Sequence, residues 1–122
     1  MTLFTKSIQE KKKKRDEIRI CVMRRPGKYN DKDFDIWMPV LAPSHKLLDD
    51  IHTKKITWEQ YVKRFTKEVL IGQKCFLKIL SEIALKHDIT VLCWEKSPKK
   101  CHRRLVAEEC KKINPELKVI IK

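Results

Sequence analysis

The side chains most able to do chemistry are concentrated in one short stretch near the end of the sequence: Cys93, Glu95, Cys101, His102 and Arg103. A thiol close to a histidine, an arginine and a helix N-terminus is biased towards its thiolate form, which suits a nucleophile or a redox thiol. A carboxylate and an imidazole nearby can transfer protons. The stretch therefore predicts a reactive pocket, with Cys93 as the nucleophile, His102 as the acid/base and Glu95 as the orienting carboxylate.

The same residues allow two other chemistries. Cys93, Cys101 and His102 offer two sulfurs and an imidazole, and a zinc shell could be completed by a carboxylate from Glu95. However, the C-x7-C-H spacing is not that of an ordinary zinc finger, and adjacent ligands on a helix diverge by about 100°. The prediction therefore includes no metal. The other alternative is anion binding without covalent chemistry, in which Arg103, His102 and backbone amides surround a phosphate.

The elements around this stretch predict its place in the fold. Residues 89–94 are apolar on both faces, which is typical of an interior, parallel strand. Ser97 suits a helix N-cap and Pro98 suits the first helical position, so a helix is predicted over 98–113. A strand at 117–121 would complete a β-α-β unit. Open α/β sheets bind ligands at the carboxyl ends of their strands, against helix N-termini, so Ser97 is a ligand-binding candidate.

Helical geometry predicts which side chains of this helix reach the end of the strand. The apolar row that includes Val106 must face the sheet. At 100° per residue, His102 lies about 40° and Arg103 about 60° from Val106, so both are predicted to point inward. Cys101, at about 140°, is predicted on the flank of the helix, and Arg104, at about 160°, in solvent.

The remaining pattern predicts an α/β fold, with a small, mostly parallel sheet flanked by helices in one domain over residues 1–122. Thr57 and Gln60 fit a capping box, and the helix that follows carries Trp58 and Tyr61 on its apolar face. These rings are predicted to pack in the core rather than to form a stacking platform. The other predicted elements are strands at 3–7 and 18–23 and helices at 44–51 and 73–86, the latter with Phe76, Leu77, Leu80, Ile83 and Ala84 on its apolar face.

Composition limits the classes of partner and compartment. The 122 residues carry a formal charge of +13, which attracts phosphate backbones and other anions over long range. Most of this charge is lysine spread through every segment, which equally fits a lysine-rich protein that binds no nucleic acid. No apolar run approaches the roughly 20 residues that a membrane helix needs, and the N-terminus lacks the order of a signal peptide. The protein is predicted to be cytoplasmic, with no membrane partner and no cofactor.

The cysteines argue against a disulfide framework, because there are five of them and no secretory signal. Cys21, Cys75 and Cys110 lie in apolar segments and are predicted to be small core residues. Whether Cys93 and Cys101 approach closely enough to form a redox pair is left open by the sequence.

Residues 92–104 resemble the C-x-E-x-x-P-x-x-C-H-R signature of the YeaO-like family, domain-of-unknown-function family 488. Further matches are Arg24, Arg25, residues 37–44 and Trp58, so the resemblance covers most of the chain. The family name records no established activity. The resemblance therefore implies the compact α/β fold and a site, not a reaction. The site residues that it implies are Cys93, Glu95, Cys101, His102 and Arg103.

These observations predict a small enzyme or enzyme-like domain whose pocket binds an anionic, phosphate-bearing ligand. The partner would be an anionic small molecule or a nucleic acid, and no oligomeric state is predicted. Two alternatives stay open: a basic nucleic-acid-binding module without catalysis, and a zinc-stabilised structural domain. The predicted catalytic residues are Cys93, Glu95 and His102, and the predicted ligand-binding residues are Arg24, Arg25, Ser97, Cys101 and Arg103.

Overall fold

The computed structural model describes residues 1–122, in which five strands form one sheet. The strands are β1 (Thr2–Ser7), β2 (Ile18–Cys21), β3 (Ile36–Trp37), β4 (Ile89–Cys93) and β5 (Lys118–Ile120). The helices are α1 (His45–His52), α2 (Trp58–Phe65), α3 (Lys74–Lys86) and α4 (His102–Ile113). Short 3-10 turns lie at Lys14–Asp16 and Pro39–Leu41, and α2 continues as a π-helical segment at Thr66–Ile71.

The sheet has the strand order β3-β2-β4-β1-β5, and all of its pairings are parallel. Strand β4 lies at the centre, between β2 and β1, and each of its residues is buried. This position explains its apolar residues on both faces, because a central parallel strand is covered on each side. Strand β4, helix α4 and strand β5 form a β-α-β unit that crosses β1. The predicted α/β fold with a parallel sheet is confirmed.

Helix α2 begins at the predicted capping box. The Thr57 backbone N–H donates to Gln60 Oε1 at 2.8 Å, and the Gln60 backbone N–H donates to Thr57 Oγ1 at 3.2 Å. Tyr61 is buried, as predicted, and stacks on Trp58 with the ring centroids 4.9 Å apart. Trp58 packs against the core but stays half-buried, because it also lines a cavity. The prediction of core packing therefore holds fully for Tyr61 and in part for Trp58.

Helix α4 begins later than predicted, at His102 instead of Pro98, with Cys101 at the N-cap position. The predicted helical start was wrong because a side chain of the helix, that of Arg104, binds the carbonyl oxygens of the preceding turn. Arg104 donates to the carbonyl oxygens of Pro98 at 3.2 Å and Lys99 at 3.1 Å. Ser97 Oγ, predicted to cap the helix, instead accepts from the Lys99 backbone N–H at 3.3 Å in an exposed turn.

Helix α3 buries Leu77, Leu80 and Ala84, as predicted, but exposes Cys75 and leaves Phe76 37% exposed. The prediction of a core Cys75 was wrong because that residue lies about 160° around the helix from Leu77. The buried row packs towards α4, where the Cys110 thiol approaches the Leu77 carbonyl oxygen. Neither α3 nor any other helix has the length and apolar character needed to cross a membrane.

The face of the sheet opposite Cys93 carries a buried ionic network. Because side chains alternate along a strand, Lys6, Arg19 and Thr90 share this face. Asp16 lies over them, and its Oδ2 accepts hydrogen bonds from Lys6 Nζ at 2.9 Å and from Arg19 Nη1 at 2.6 Å. The Asp16 carbonyl accepts one from Thr90 Oγ1 at 3.0 Å. All four side chains are buried, so Asp16 supplies the counter-charge that the two cations need there.

Asp16→Asn is expected to lower the free energy of unfolding by about 3–5 kcal/mol, because Lys6 and Arg19 would stay buried without a counter-ion. Equilibrium urea denaturation measures the change. The matched control is Asp49→Asn, since Asp49 pairs with Arg25 at the exposed surface, where less than about 1 kcal/mol is expected. Equal losses for the two variants would contradict a special role for the buried carboxylate.

The contribution of Asp16 is also expected to depend on pH. Burial raises the pKa of Asp16, but the Lys13 backbone N–H and the cations of Lys6 and Arg19 lower it more, so the net pKa lies below the ordinary value. The stabilisation is therefore complete above about pH 4, the pKa of an unfolded aspartate, and is lost as the pH falls through the folded value. Urea denaturation at pH 7, 5 and 3 should show the gap between wild type and Asp16→Asn shrinking only at the lowest pH.

Candidate functional site

A cavity of about 560 Å³ opens where strands β2 and β4 end. Met23 follows β2 and Trp94 follows β4, and both residues line it. Trp58 and Tyr61 of α2 form part of the opposite side, and His52 at the end of α1 completes that side. Ligand sites in open parallel sheets lie outside the carboxyl ends of the strands, and this cavity lies there.

The cavity lining combines cationic and aromatic side chains. The cationic groups outnumber the acidic ones, because Glu95 is the single carboxylate in the lining. Among the aromatic residues, Trp94 is 55% exposed, although each residue of β4 directly before it is buried. The cationic residues are Arg24, Arg25, Lys28 and Lys100, and the aromatic residues are Tyr29, Trp58, Tyr61 and Trp94.

One side of the cavity is formed by the predicted reactive stretch. Glu95, Cys101 and His102 line it, whereas Cys93 lies behind them, fully buried. Cys93 and Cys101 form a disulfide across the junction between β4 and α4. Glu95 Oε2 lies 3.3 Å from Cys93 Sγ and 3.2 Å from Cys101 Sγ. When the disulfide is reduced, these contacts allow each thiol to donate to the carboxylate.

Cys101 lies at the centre of this cluster instead of on the flank of α4. The predicted flank position was wrong because α4 begins at His102, so Cys101 has extended backbone geometry to which the helical rotation of 100° per residue does not apply. The inward orientation predicted for His102 and Arg103 is confirmed, since both are buried.

The Arg103 guanidinium is fully buried and directed at the protein's own atoms. Nη1 donates to the Glu95 carbonyl oxygen at 2.7 Å, and Nη2 donates to the carbonyl oxygens of Lys96 at 3.3 Å and Lys122 at 3.0 Å. Nη1 also lies 3.1 Å from Cys93 Sγ and 3.3 Å from Cys101 Sγ, while the buried Nε has no partner. Arg103 does not line the cavity. To act as the predicted anion clamp, it would have to release these carbonyl groups.

His102 is neutral and has one ring nitrogen free. Its Nε2 lies 2.6 Å from the Val22 carbonyl oxygen, and because a carbonyl only accepts, Nε2 carries the proton. Nδ1 therefore keeps its lone pair. Burial lowers the pKa of His102, outweighing the opposite effects of the Val22 carbonyl and the Glu95 carboxylate. The imidazole can accept a proton or a metal ion at Nδ1 but carries no charge of its own at neutral pH.

The other predicted ligand-binding residues have different positions. Arg24 lines the cavity, but its Nε donates to the Pro43 carbonyl oxygen at 2.9 Å. Arg25 lies on the exposed edge of the cavity, where Nη1 contacts Asp49 Oδ1 at 3.1 Å. Ser97 is exposed and lies outside the lining. The structure thus brings together the two arginines and the reactive stretch but leaves Ser97 apart.

Several residues of the cavity lining are not among the predicted site residues. Lys28 and Tyr29 belong to a stretch without a regular pattern, and Lys100 and Trp94 were passed over beside the cysteines. Their position could have indicated them, since each follows the carboxyl end of β2 or β4 within eight residues.

The cluster also contains the donor atoms of a metal site. Ligand atoms of Cys93, Cys101 and His102 all lie within 4.8 Å of one another, and all three residues are buried.

Comparison with known protein families matches residues 3–113 to the family described as the active DUF488-N3 subclade. The curated proteins and the solved structures contain no match to the chain.

Alkylation of the reduced, folded protein is expected to follow this geometry. Iodoacetamide at pH 8 should modify exposed Cys75 first, then Cys101, which lines the cavity, and only later Cys93 behind it. Cys21 and Cys110 should react last, because burial raises the pKa of both thiols, that of Cys110 to about 12. Peptide mass spectrometry over time gives the order, and faster labelling of Cys93 than of Cys101 would contradict the described positions.

Proposed function

The chain belongs to the DUF488 family, through the active N3 subclade, and on that premise we propose that it is a small enzyme whose cavity binds a phosphate-bearing aromatic ligand such as a nucleotide. The observation that carries this proposal is the composition of the cavity, in which cationic and aromatic side chains surround a Cys-His-Glu cluster. Such a combination can hold a charged group and a flat ring of one ligand at the same time.

The cationic side of the cavity supports recognition of the phosphate. Lys28 and Lys100 are exposed at its edge, so their charges are available to a ligand, whereas the exposed Arg25 already pairs with Asp49. The only opposing charge in the lining is Glu95. A phosphate gains charge-assisted hydrogen bonds from such groups, and the +13 charge of the whole chain adds long-range attraction.

The aromatic side supports recognition of a ring. Trp58 is already stacked on Tyr61, which fixes its orientation, and it is half-buried in the cavity lining. Trp94 and Tyr29 add two further rings at the cavity surface. Stacking of a nucleobase on an aromatic side chain contributes about 1–3 kcal/mol and tolerates different bases.

The reactive cluster supplies groups for chemistry on a bound ligand. Glu95 is partly exposed in the cavity, which suits proton transfer. His102 can accept a proton at Nδ1, since its Nε2 is held by the Val22 carbonyl. Cys101 and Cys93 are both buried, but only Cys101 belongs to the cavity lining, so its sulfur is the one on the side of the ligand. In this proposal Cys93, the predicted nucleophile, works together with Cys101 and does not react alone.

Tryptophan fluorescence is expected to report ligand binding, because Trp58 and Trp94 line the cavity. A nucleoside monophosphate should bind about 10-fold or more tightly than the matching nucleoside or inorganic phosphate, since only the nucleotide uses both sides of the cavity. Lys100→Ala should weaken nucleotide binding about 10-fold. Lys86→Ala is the matched control, because Lys86 is exposed at the end of α3, outside the cavity, and should change nothing. Equal affinity for the nucleoside and the nucleotide would refute the phosphate site.

A basic nucleic-acid-binding module is the second candidate, favoured by the +13 charge. It differs from the first in the length of the ligand and in its response to salt. An oligonucleotide that contacts several lysines should bind far more tightly than a mononucleotide and lose affinity steeply between 50 and 200 mM salt, by roughly 10³-fold or more for six phosphate contacts. Fluorescence titrations of both ligands at the two salt concentrations separate the candidates.

A further inference from the structure

We propose that Cys93, Cys101 and His102, together with Glu95, bind one Zn²⁺ ion at the junction between β4 and α4 when the cysteines are reduced. The three Cys and His donor atoms lie within 4.8 Å of one another. Glu95 lies outside this group of three, but its Oε2 is 3.3 and 3.2 Å from the two sulfurs, so a carboxylate oxygen is available next to them as a fourth donor. Two thiolates, an imidazole and a carboxylate are ligands that zinc accepts, in the number that a tetrahedral site requires.

The orientation of His102 suits this role. Its Nε2–H donates to the Val22 carbonyl oxygen at 2.6 Å, so the Nδ1 lone pair is the atom left for an ion. Histidine ligands in metal sites characteristically donate their other N–H to a carbonyl or a carboxylate, which fixes the tautomer and the ring. This bond is therefore already made within the fold.

The backbone spacing of the cysteines also suits a shared ion. The Cα atoms of Cys93 and Cys101 lie 7.6 Å apart, beyond the 4.4–6.8 Å that disulfides usually span. Two thiolates on one tetrahedral zinc, each about 2.3 Å from the ion, lie about 3.8 Å from one another. Cysteines at this backbone separation can reach a common ion from opposite sides.

Charge balance favours the ion in this buried place. Two thiolates and the Glu95 carboxylate bring three negative charges, and Zn²⁺ with the Arg103 guanidinium brings three positive ones. Arg103 Nη1 lies 3.1 and 3.3 Å from the sulfurs, where its N–H groups can donate to metal-bound thiolates. A cluster without net charge avoids most of the penalty that burial imposes on unpaired charges.

Oxidation and metal binding exclude one another at these sulfurs. A disulfide has no thiolate to offer, so the oxidised pair must be reduced to two thiols before it can bind zinc. Two reductant thiols supply two electrons and two protons and become a disulfide, whereas a phosphine supplies two electrons and becomes the phosphine oxide, with water providing its oxygen and the two protons. Zinc then displaces both thiol protons. The zinc site shares Glu95, Cys101 and His102 with the cavity lining, but zinc content is measured without a cavity ligand, so its failure can be told apart from failure of ligand binding.

Elemental analysis of the full chain tests the proposal. The protein is reduced with a phosphine, loaded with Zn²⁺ and passed through a desalting column. About one ion per chain is expected for the wild type, and the same for Cys75→Ser, whose cysteine is exposed and does not belong to the cluster. Cys101→Ser should retain none. A reduced wild type that retains less than about 0.1 ion per chain would overturn the site, as would a Cys101→Ser variant that retains a full ion.

Cobalt binding to the wild type tests the same site without any variant, so its result does not depend on whether a variant folds. Co²⁺ added to the reduced chain should produce the intense thiolate-to-cobalt absorption of a tetrahedral site, and the same chain with its disulfide formed should produce none. Equal spectra for the two forms would also overturn the proposal. Nucleotide titration of the metal-free protein, followed by tryptophan fluorescence, shows independently whether the cavity binds its ligand.

Discussion

The buried Arg103 guanidinium is the interaction on which the candidate site depends. It lies where three separate parts of the chain meet, and it donates to carbonyl oxygens of Glu95, Lys96 and Lys122. The loop after β4 has no regular hydrogen-bond ladder, so these side-chain bonds take the place of one. They fix Glu95 next to the two sulfurs and hold the first turn of α4 against the central strand. A lysine could not do the same, because it lacks the fork of donors that reaches several acceptors at once.

The two faces of the sheet are covered, and their buried polar groups are compensated, in different ways. On the face of Cys93, helices α3 and α4 provide an apolar cover, and the polar atoms that remain are gathered around Arg103. On the other face, the segment after β1 crosses the sheet with only a 3-10 turn, and Asp16 compensates the buried cations of Lys6 and Arg19. The sheet is thus held by hydrophobic burial on one side and by an ionic network on the other. A buried network of this kind must be complete, because a missing partner leaves a charge without solvation.

Much of the fold and the centre of the site could be predicted from the sequence. Strand β4 is apolar on both faces, and the capping box before α2 has a local sequence signature, so neither requires knowledge of distant contacts. The helical rotation of 100° per residue correctly predicted that His102 and Arg103 point inward. The start of α4 could not be predicted, because Arg104 binds the carbonyl groups of the preceding turn, and a side-chain competition of this type has no periodic pattern. The opposite side of the cavity, with His52 and Trp58, depends on how distant segments pack and cannot be predicted from local sequence patterns.

The position of β1 in the sheet has a consequence for the order in which the protein can form. Leu3 pairs with Ile89 on one side and with Val119 on the other. The first strand of the chain, β1, therefore lies between its last two strands, β4 and β5. During synthesis β1 has no neighbour until those segments leave the ribosome. The sheet, and the cavity at its edge, can therefore close only after β4 and β5 have been synthesised, and the long loops involved make that closure slow compared with formation of the helices. Until then β1 is a strand with unpaired backbone groups on both sides that other chains can occupy, which makes newly made protein, rather than the folded protein, the form most prone to aggregate.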